Sequence, residues 1–235
     1  MNLFNSEDKS KIKTKAQEAY PDNLKGDSFN DGDLGGCNVF GDPATHYPIM
    51  WKYLVGKFDI KSVIDIGCGF GYSLDYFINN LNLEGVGVEG SDKVTKLALN
   101  NDVITCHNYA ADGPLKFSKT FDLAWSTEFV EHVEEKYLDN FVATFKCAKY
   151  LAITYAYIKQ YGHHHVNENT EDYWLEQITS RGFTYDEETT RELRQKTIED
   201  WKDPRSPVDQ SKVEGWEAPY HFATRGLFFK NDLLL

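Results

Sequence analysis

Val63-Ile64-Asp65-Ile66-Gly67-Cys68-Gly69-Phe70-Gly71 is the stretch that decides the fold. A short apolar segment, interrupted only by Asp65, runs into three glycines at alternate positions. The spacing predicts a helix over 72–80 directly afterwards. Strand, glycine turn and helix in that order form the opening of a βαβ unit. In an open α/β sheet, ligands bind beyond the carboxyl ends of the strands, so this turn is the expected ligand site.

Working outward, strand-like runs fall at 62–66, 85–89, 103–106, 121–125, 150–155 and 182–185. Helical spacing falls at 48–55, 92–100, 134–146 and 170–180, with Pro48 in a first turn and Ser91 or Asp92 as a cap. This alternation predicts a mostly parallel sheet with helices on both faces. Residues 227–230 are expected to add a last edge strand. Residues 1–46 form a polar lead segment or lid, with loop over 26–36. The main domain then runs over 47–235, and its charged stretch 187–223 has the character of an insertion.

The glycine spacing is G-x-G-x-G, not the G-x-G-x-x-G of dinucleotide sites, and no lysine follows to make a phosphate loop. Asp65 stands two residues before the first glycine. A carboxylate there repels a pyrophosphate and suits a ligand carrying an ammonium group. Glu89 closes the second strand, 22 residues after Gly67, where an acidic side chain can accept both ribose hydroxyls of an adenosine.

Asp65, the turn Gly67-Cys68-Gly69-Phe70-Gly71 and Glu89 together resemble the class I S-adenosylmethionine (SAM)-dependent methyltransferases, over about residues 48–186. That resemblance implies a Rossmann-like, doubly wound α/β fold. Its seven strands would lie in the order 3-2-1-4-5-7-6, with the seventh antiparallel. It also implies SAM as cofactor and methyl transfer as the activity. Gly90 would lie beside the ribose-binding Glu89, Asn108 and Tyr109 against the adenine, and Ser126 near the sulfur. Most members carry Asp where this chain has Asn108.

Two segments are candidates for the acceptor side. The fourth strand ends in Trp125-Ser126-Thr127-Glu128-Phe129-Val130-Glu131-His132, which resembles the family's variable "E-H" segment. Glu128, Glu131 and His132 are possible contributors. Glu131 and His132 are equally able to cap or orient the following helix. After the fifth strand comes His163-His164-His165-Val166-Asn167. If this run is extended, His163 and His165 share a face and flank the acceptor, and His164 points away. A hydroxyl acceptor must lose a proton, and histidine is well poised to take it. His165 is then the leading base, with Glu128 or His132 as rivals. Metal ligation by these histidines with Glu128 or His132 is a further alternative, and no residue is assigned to a metal.

The net charge of −12 and the lack of a basic cluster weigh against nucleic-acid partners. The densest basic stretch, residues 9–15, suits a solvated helix face. No apolar run suits a membrane span or a signal peptide, so the expected compartment is the cytoplasm. Cys37, Cys68, Cys106 and Cys147 form no C-x-x-C pair, which disfavours structural zinc. The expected acceptor is therefore a hydroxyl or amine of a small molecule or sugar. A non-catalytic SAM-binding protein and aminopropyl transfer, drawing on Glu128 and Glu131, are the rival functions.

Overall fold

A computed structural model describes residues 28–32, 34–39, 41–203 and 221–235. Most of the lead segment, including the basic stretch 9–15, and residues 204–220 of the charged segment lie outside the described residues. The chain opens with a small hairpin of β1 (Ser28–Asn30) and β2 (Gly36–Asn38). Seven further strands build the central sheet. They are β3 (Ser62–Ile66), β4 (Glu84–Glu89), β5 (Ile104–Cys106), β6 (Phe121–Ser126), β7 (Ala148–Ile153), β8 (Phe183–Tyr185) and β9 (Leu227–Asn231). Their order is β5-β4-β3-β6-β7-β9-β8. Counted from β3, this is the 3-2-1-4-5-7-6 arrangement that the resemblance implies. β9 runs antiparallel to both neighbours, and the β3–β7 pairs are parallel.

Each face of the sheet carries its own apolar layer. On one side Val63, Leu123, Trp125, Ala152 and Phe228 pack beneath α1 (Pro48–Phe58), through its Met50, Trp51 and Leu54. On the other, Ile64, Ile66, Leu151, Ile153 and Phe229 pack beneath α4 (Leu138–Phe145) and α5 (Glu171–Thr179). Alternation along each strand divides its residues between the layers, so both faces are covered. The remaining helices are α2 (Tyr72–Asp75), α3 (Asp92–Leu97), α6 (Glu187–Lys202) and α7 (His221–Arg225).

Local chemistry sets the helix ends. Ser91 caps α3 by accepting from the Val94 amide at 3.2 Å, and Thr170 caps α5 through the Tyr173 amide at 3.2 Å. Pro48 starts α1, whose free amides at Ile49 and Met50 donate to the Asp200 carboxylate at 2.7 and 2.9 Å. That contact fastens α6 to α1.

Three details depart from the sequence reading. Residues 227–230 lie inside the sheet, not at its edge, because β9 pairs with β7 along one side and β8 along the other. The helix after the glycine turn is α-helical for one turn and then widens into a π-turn at Tyr76–Asn80. In place of loop throughout 26–36, the described part of that stretch enters and leaves through the strands of the hairpin.

Candidate active site

The glycine turn leaves β3 and is bound to β4. The Gly67 and Cys68 amides both donate to the Val88 carbonyl, at 2.9 and 3.1 Å. Gly67 takes φ 73°, and a Cβ there would come within 2.5 Å of the Phe129 ring. Only glycine both adopts this conformation freely and leaves the ring room. Gly71 accepts the first amide bond of α2 from Asp75, at 2.8 Å. It serves the turn and does not line a cleft.

Two adjoining clefts of about 620 and 630 Å³ open over this turn and share Gly36, Cys37, Gly67, Gly69 and Glu128. In the first, Glu89 accepts from the Gly69 amide and the Ser91 amide, both at 2.9 Å. Burial pushes its carboxyl above the usual range even with those bonds. Gly90, Asn108 and Tyr109 line the same cleft, with Val88 and Phe129 as its apolar walls. Asn108 is held in a local turn, its side-chain oxygen accepting from the Ala110 amide at 2.9 Å. The Tyr109 ring faces inward, and its hydroxyl donates to Thr144 at 2.9 Å. Tyr109 thus lines the cleft while its hydroxyl is tied into the core.

Asp65 and Cys68 line the second cleft. Asp65 is buried. Desolvation first, and then the Glu89 charge, push its carboxyl up to about 8. A cationic group placed in this cleft would reverse that penalty.

The hairpin covers both clefts. Leu34 lies over Gly90, Gly35 lies against the His132 ring, and Cys37 faces Gly69. Asp31 holds the cover down by accepting from Ser91 and Lys93, both at 2.6 Å.

At the other end of the turn, two loops after β6 and β7 form an ionisable corner. Glu128 takes φ 52°. One of its oxygens accepts from Thr154 at 2.9 Å, and the other from Arg225 at 2.8 Å. His221 lies 3.7 Å from both Glu128 and Asp42. Glu131 is completely buried, and burial followed by the Glu128 charge holds its carboxyl well above the usual range. His132 lines the first cleft, and burial pulls it down to about 4. His165 packs edge-on against His132, with ring centroids 5.0 Å apart.

The described residues thus hold a glycine-walled pair of clefts, a buried carboxylate beside them and an ionisable corner beyond. A family model for the methyltransferase domain matches residues 40–197 of the chain. The chain belongs to the methyltransferase domain family. SAM is its cofactor, and the glycine-walled clefts, with the Glu89 and Asp65 carboxylates at their edges, offer groups that fit it.

Over 87 residues, 33% of its length, the chain is 34% identical to the chloroplastic tocopherol O-methyltransferase of Arabidopsis thaliana. The match spans 24% of that enzyme's length. Among solved structures, plantazolicin methyltransferase BpumL with a triazolic desmethylPZN analog and S-adenosylhomocysteine (SAH) superposes with a TM-score of 0.54. The identity is 15%, covering 98% of this chain and 93% of that one. BpumL with SAH gives 0.52 at 15% identity, over 97% and 92%. At such identity the likeness concerns the fold.

The remaining residues singled out from the methyltransferase sequence divide clearly. Ser126 does not line either cleft; its hydroxyl is buried and donates to the Ile66 carbonyl at 2.9 Å, tying β6 to β3. The histidine run is not extended. It turns at 163–164, with Tyr161 and His164 in the left-handed region, so His163 and His165 do not share a face. His163 is exposed, whereas His165 reaches the corner. Arg225, Asp42, Thr154 and His221 escaped notice. Arg225 meets Glu128 across 97 positions, and no local pattern announces such a contact.

Proposed function

We propose that this methyltransferase moves the SAM methyl group to a hydroxyl or amine of a small molecule or sugar, in a cytoplasmic setting. The observation that carries this reading is the meeting of the cofactor clefts, at Glu128 and His132, with a buried ionisable corner. SAM supplies a methyl group already activated by its sulfonium, so the protein's work is alignment and the acceptor's proton. Gly67, Gly69 and Glu89 fix the adenosine end, Asp65 holds the ammonium end, and the cover from Leu34 to Cys37 excludes water. Glu128, pinned by Arg225 and Thr154, shapes the boundary between cofactor and acceptor. Activation of the acceptor falls to the His132–His165 corner.

A net charge of −12 disfavours nucleic acid as the acceptor. Four free cysteines suit a reducing compartment. No helix among the described residues is long and apolar enough to cross a membrane. The test is a screen of sugars, phenols and small amines with SAM, reading both SAH release and the acceptor's gain in mass. The expected result is SAH formation matched by methylation of one acceptor class. Methylation confined to peptides or nucleic acids would overturn the reading.

A further inference from the structure

Three side chains converge beside the first cleft without satisfying one another. Glu131 has no exposed surface, and neither of its carboxylate oxygens has a hydrogen-bond partner. A buried carboxylate in that condition is costly and calls for an explanation. His132 and His165 stand next to it. One potential ligand atom from each of the three lies within 4.8 Å of the other two. Had they formed a closed hydrogen-bond network, Glu131 would accept from one of the rings, and it does not.

Both rings are oriented from behind. His132 Nδ1 donates to the His164 carbonyl at 3.2 Å, and His165 Nδ1 donates to the Glu168 carboxylate at 3.0 Å. Nε2 of each ring then carries the free lone pair. Imidazoles held at the far nitrogen by a carbonyl or carboxylate are the arrangement found around bound metals. The Glu168 carboxylate is itself fixed, accepting from the Lys159 and Tyr161 amides at 2.7 and 2.8 Å. Gly162 makes room for the His165 ring, since a Cβ there would come within 2.1 Å of it.

We propose that Glu131, His132 and His165 bind one divalent metal ion at the edge of the cofactor cleft. Two imidazoles and one carboxylate suit zinc, manganese or ferrous iron better than magnesium or calcium. Because His132 also lines the cleft, the ion faces the place where the acceptor is read to bind, and its role in activating a hydroxyl rests on that reading. His165 is then a ligand and not the base expected from the sequence. Binding of the ion itself does not depend on the acceptor.

The test uses the full chain stripped with a chelator and titrated calorimetrically with Zn²⁺, Mn²⁺ and Co²⁺, the last also followed by absorption. One ion per chain is expected. His132→Ala and His165→Ala should each weaken it by more than about 100-fold. Glu168→Gln should weaken it by roughly 10–100-fold, as loss of an outer partner does. His163→Ala should leave it unchanged. Glu131→Gln, which keeps the side-chain shape, guards against misfolding and should also lose the ion. SAH affinity measured on the stripped protein separates the two readings: SAH binding without metal binding removes this proposal alone. No stoichiometric binding by the wild type, or binding lost in His163→Ala but kept in folded His132→Ala, would overturn it.

Discussion

The two ends of the cleft are built in different ways. The polar anchors of the proposed cofactor end come from one continuous stretch, residues 65–91, in which strand, turn and next strand bring Asp65, Gly69 and Glu89 together by local geometry, and distant residues such as Leu34, Asn108 and Phe129 only add walls. The proposed acceptor end is assembled from distant segments: Glu128 and His132 after β6, His165 after β7, and Arg225 ahead of β9. A ligand common to a whole family can be met by a local motif. A variable acceptor is met by loops that a rigid sheet merely positions.

If that division holds, damage to the corner should stop turnover and spare the cofactor. His132→Ala is expected to lower methyl transfer by roughly 100-fold or more while SAH affinity holds. Single-turnover kinetics on a matched acceptor, beside a binding titration, check this. A parallel loss of SAH affinity would mean that the two ends are one unit.

Asp65 tests the other end through a conflict between binding and stability. The folded carboxyl titrates near 8 and the unfolded one near 3.8. From about pH 4 to 8 the folded chain therefore holds a proton that the unfolded chain has released, and stability falls as pH rises. Asp65→Asn removes that loss. Without ligand, it should unfold several degrees above the wild type at pH 9 and show little difference near pH 4. Its SAM affinity should nonetheless drop by about tenfold or more. Scanning calorimetry at the two pH values is decisive, and a variant less stable at pH 9 would refute the assignment of Asp65 as a strained charge.

How much was legible in the sequence follows the same division. Asp65, the glycines and Glu89 could be read because strand and turn chemistry place them within one supersecondary unit. The inner position of β9 was implied by family resemblance alone, since Leu227-Phe228-Phe229 shows no alternation to assign a face. The hairpin at 28–38 escaped because its glycines and aspartates are also loop residues, and its stability comes from remote partners such as Phe29 on Phe70 and Asp31 on Ser91 and Lys93. The turn at 163–164 depends on Glu168 accepting the Lys159 and Tyr161 amides, which histidine spacing does not disclose.

Arg225 marks the long-range character of the corner, and its loss should be smaller in effect. Its guanidinium bonds Glu128 at 2.8 Å with little exposure. Arg225→Met leaves that carboxylate with Thr154 as its remaining short bond and should cost about 1–3 kcal/mol of stability. Glu128→Gln paired with Arg225→Met should recover part of it, and a double-mutant cycle by urea unfolding measures the coupling. The smallest expected effect is for nucleic acid. Fluorescence anisotropy at low salt should show no salt-dependent binding to duplex DNA or RNA.

The central claim, that the adenosine lies between the glycine turn and Glu89, is tested most directly by calorimetric titration of SAH into wild type and Glu89→Ala. The wild type should bind one equivalent. Loss of a charged hydrogen-bond acceptor should weaken the variant by roughly 1.5–3 kcal/mol, with its fold intact by circular dichroism. Wild-type affinity retained in Glu89→Ala would contradict the placement of the cofactor.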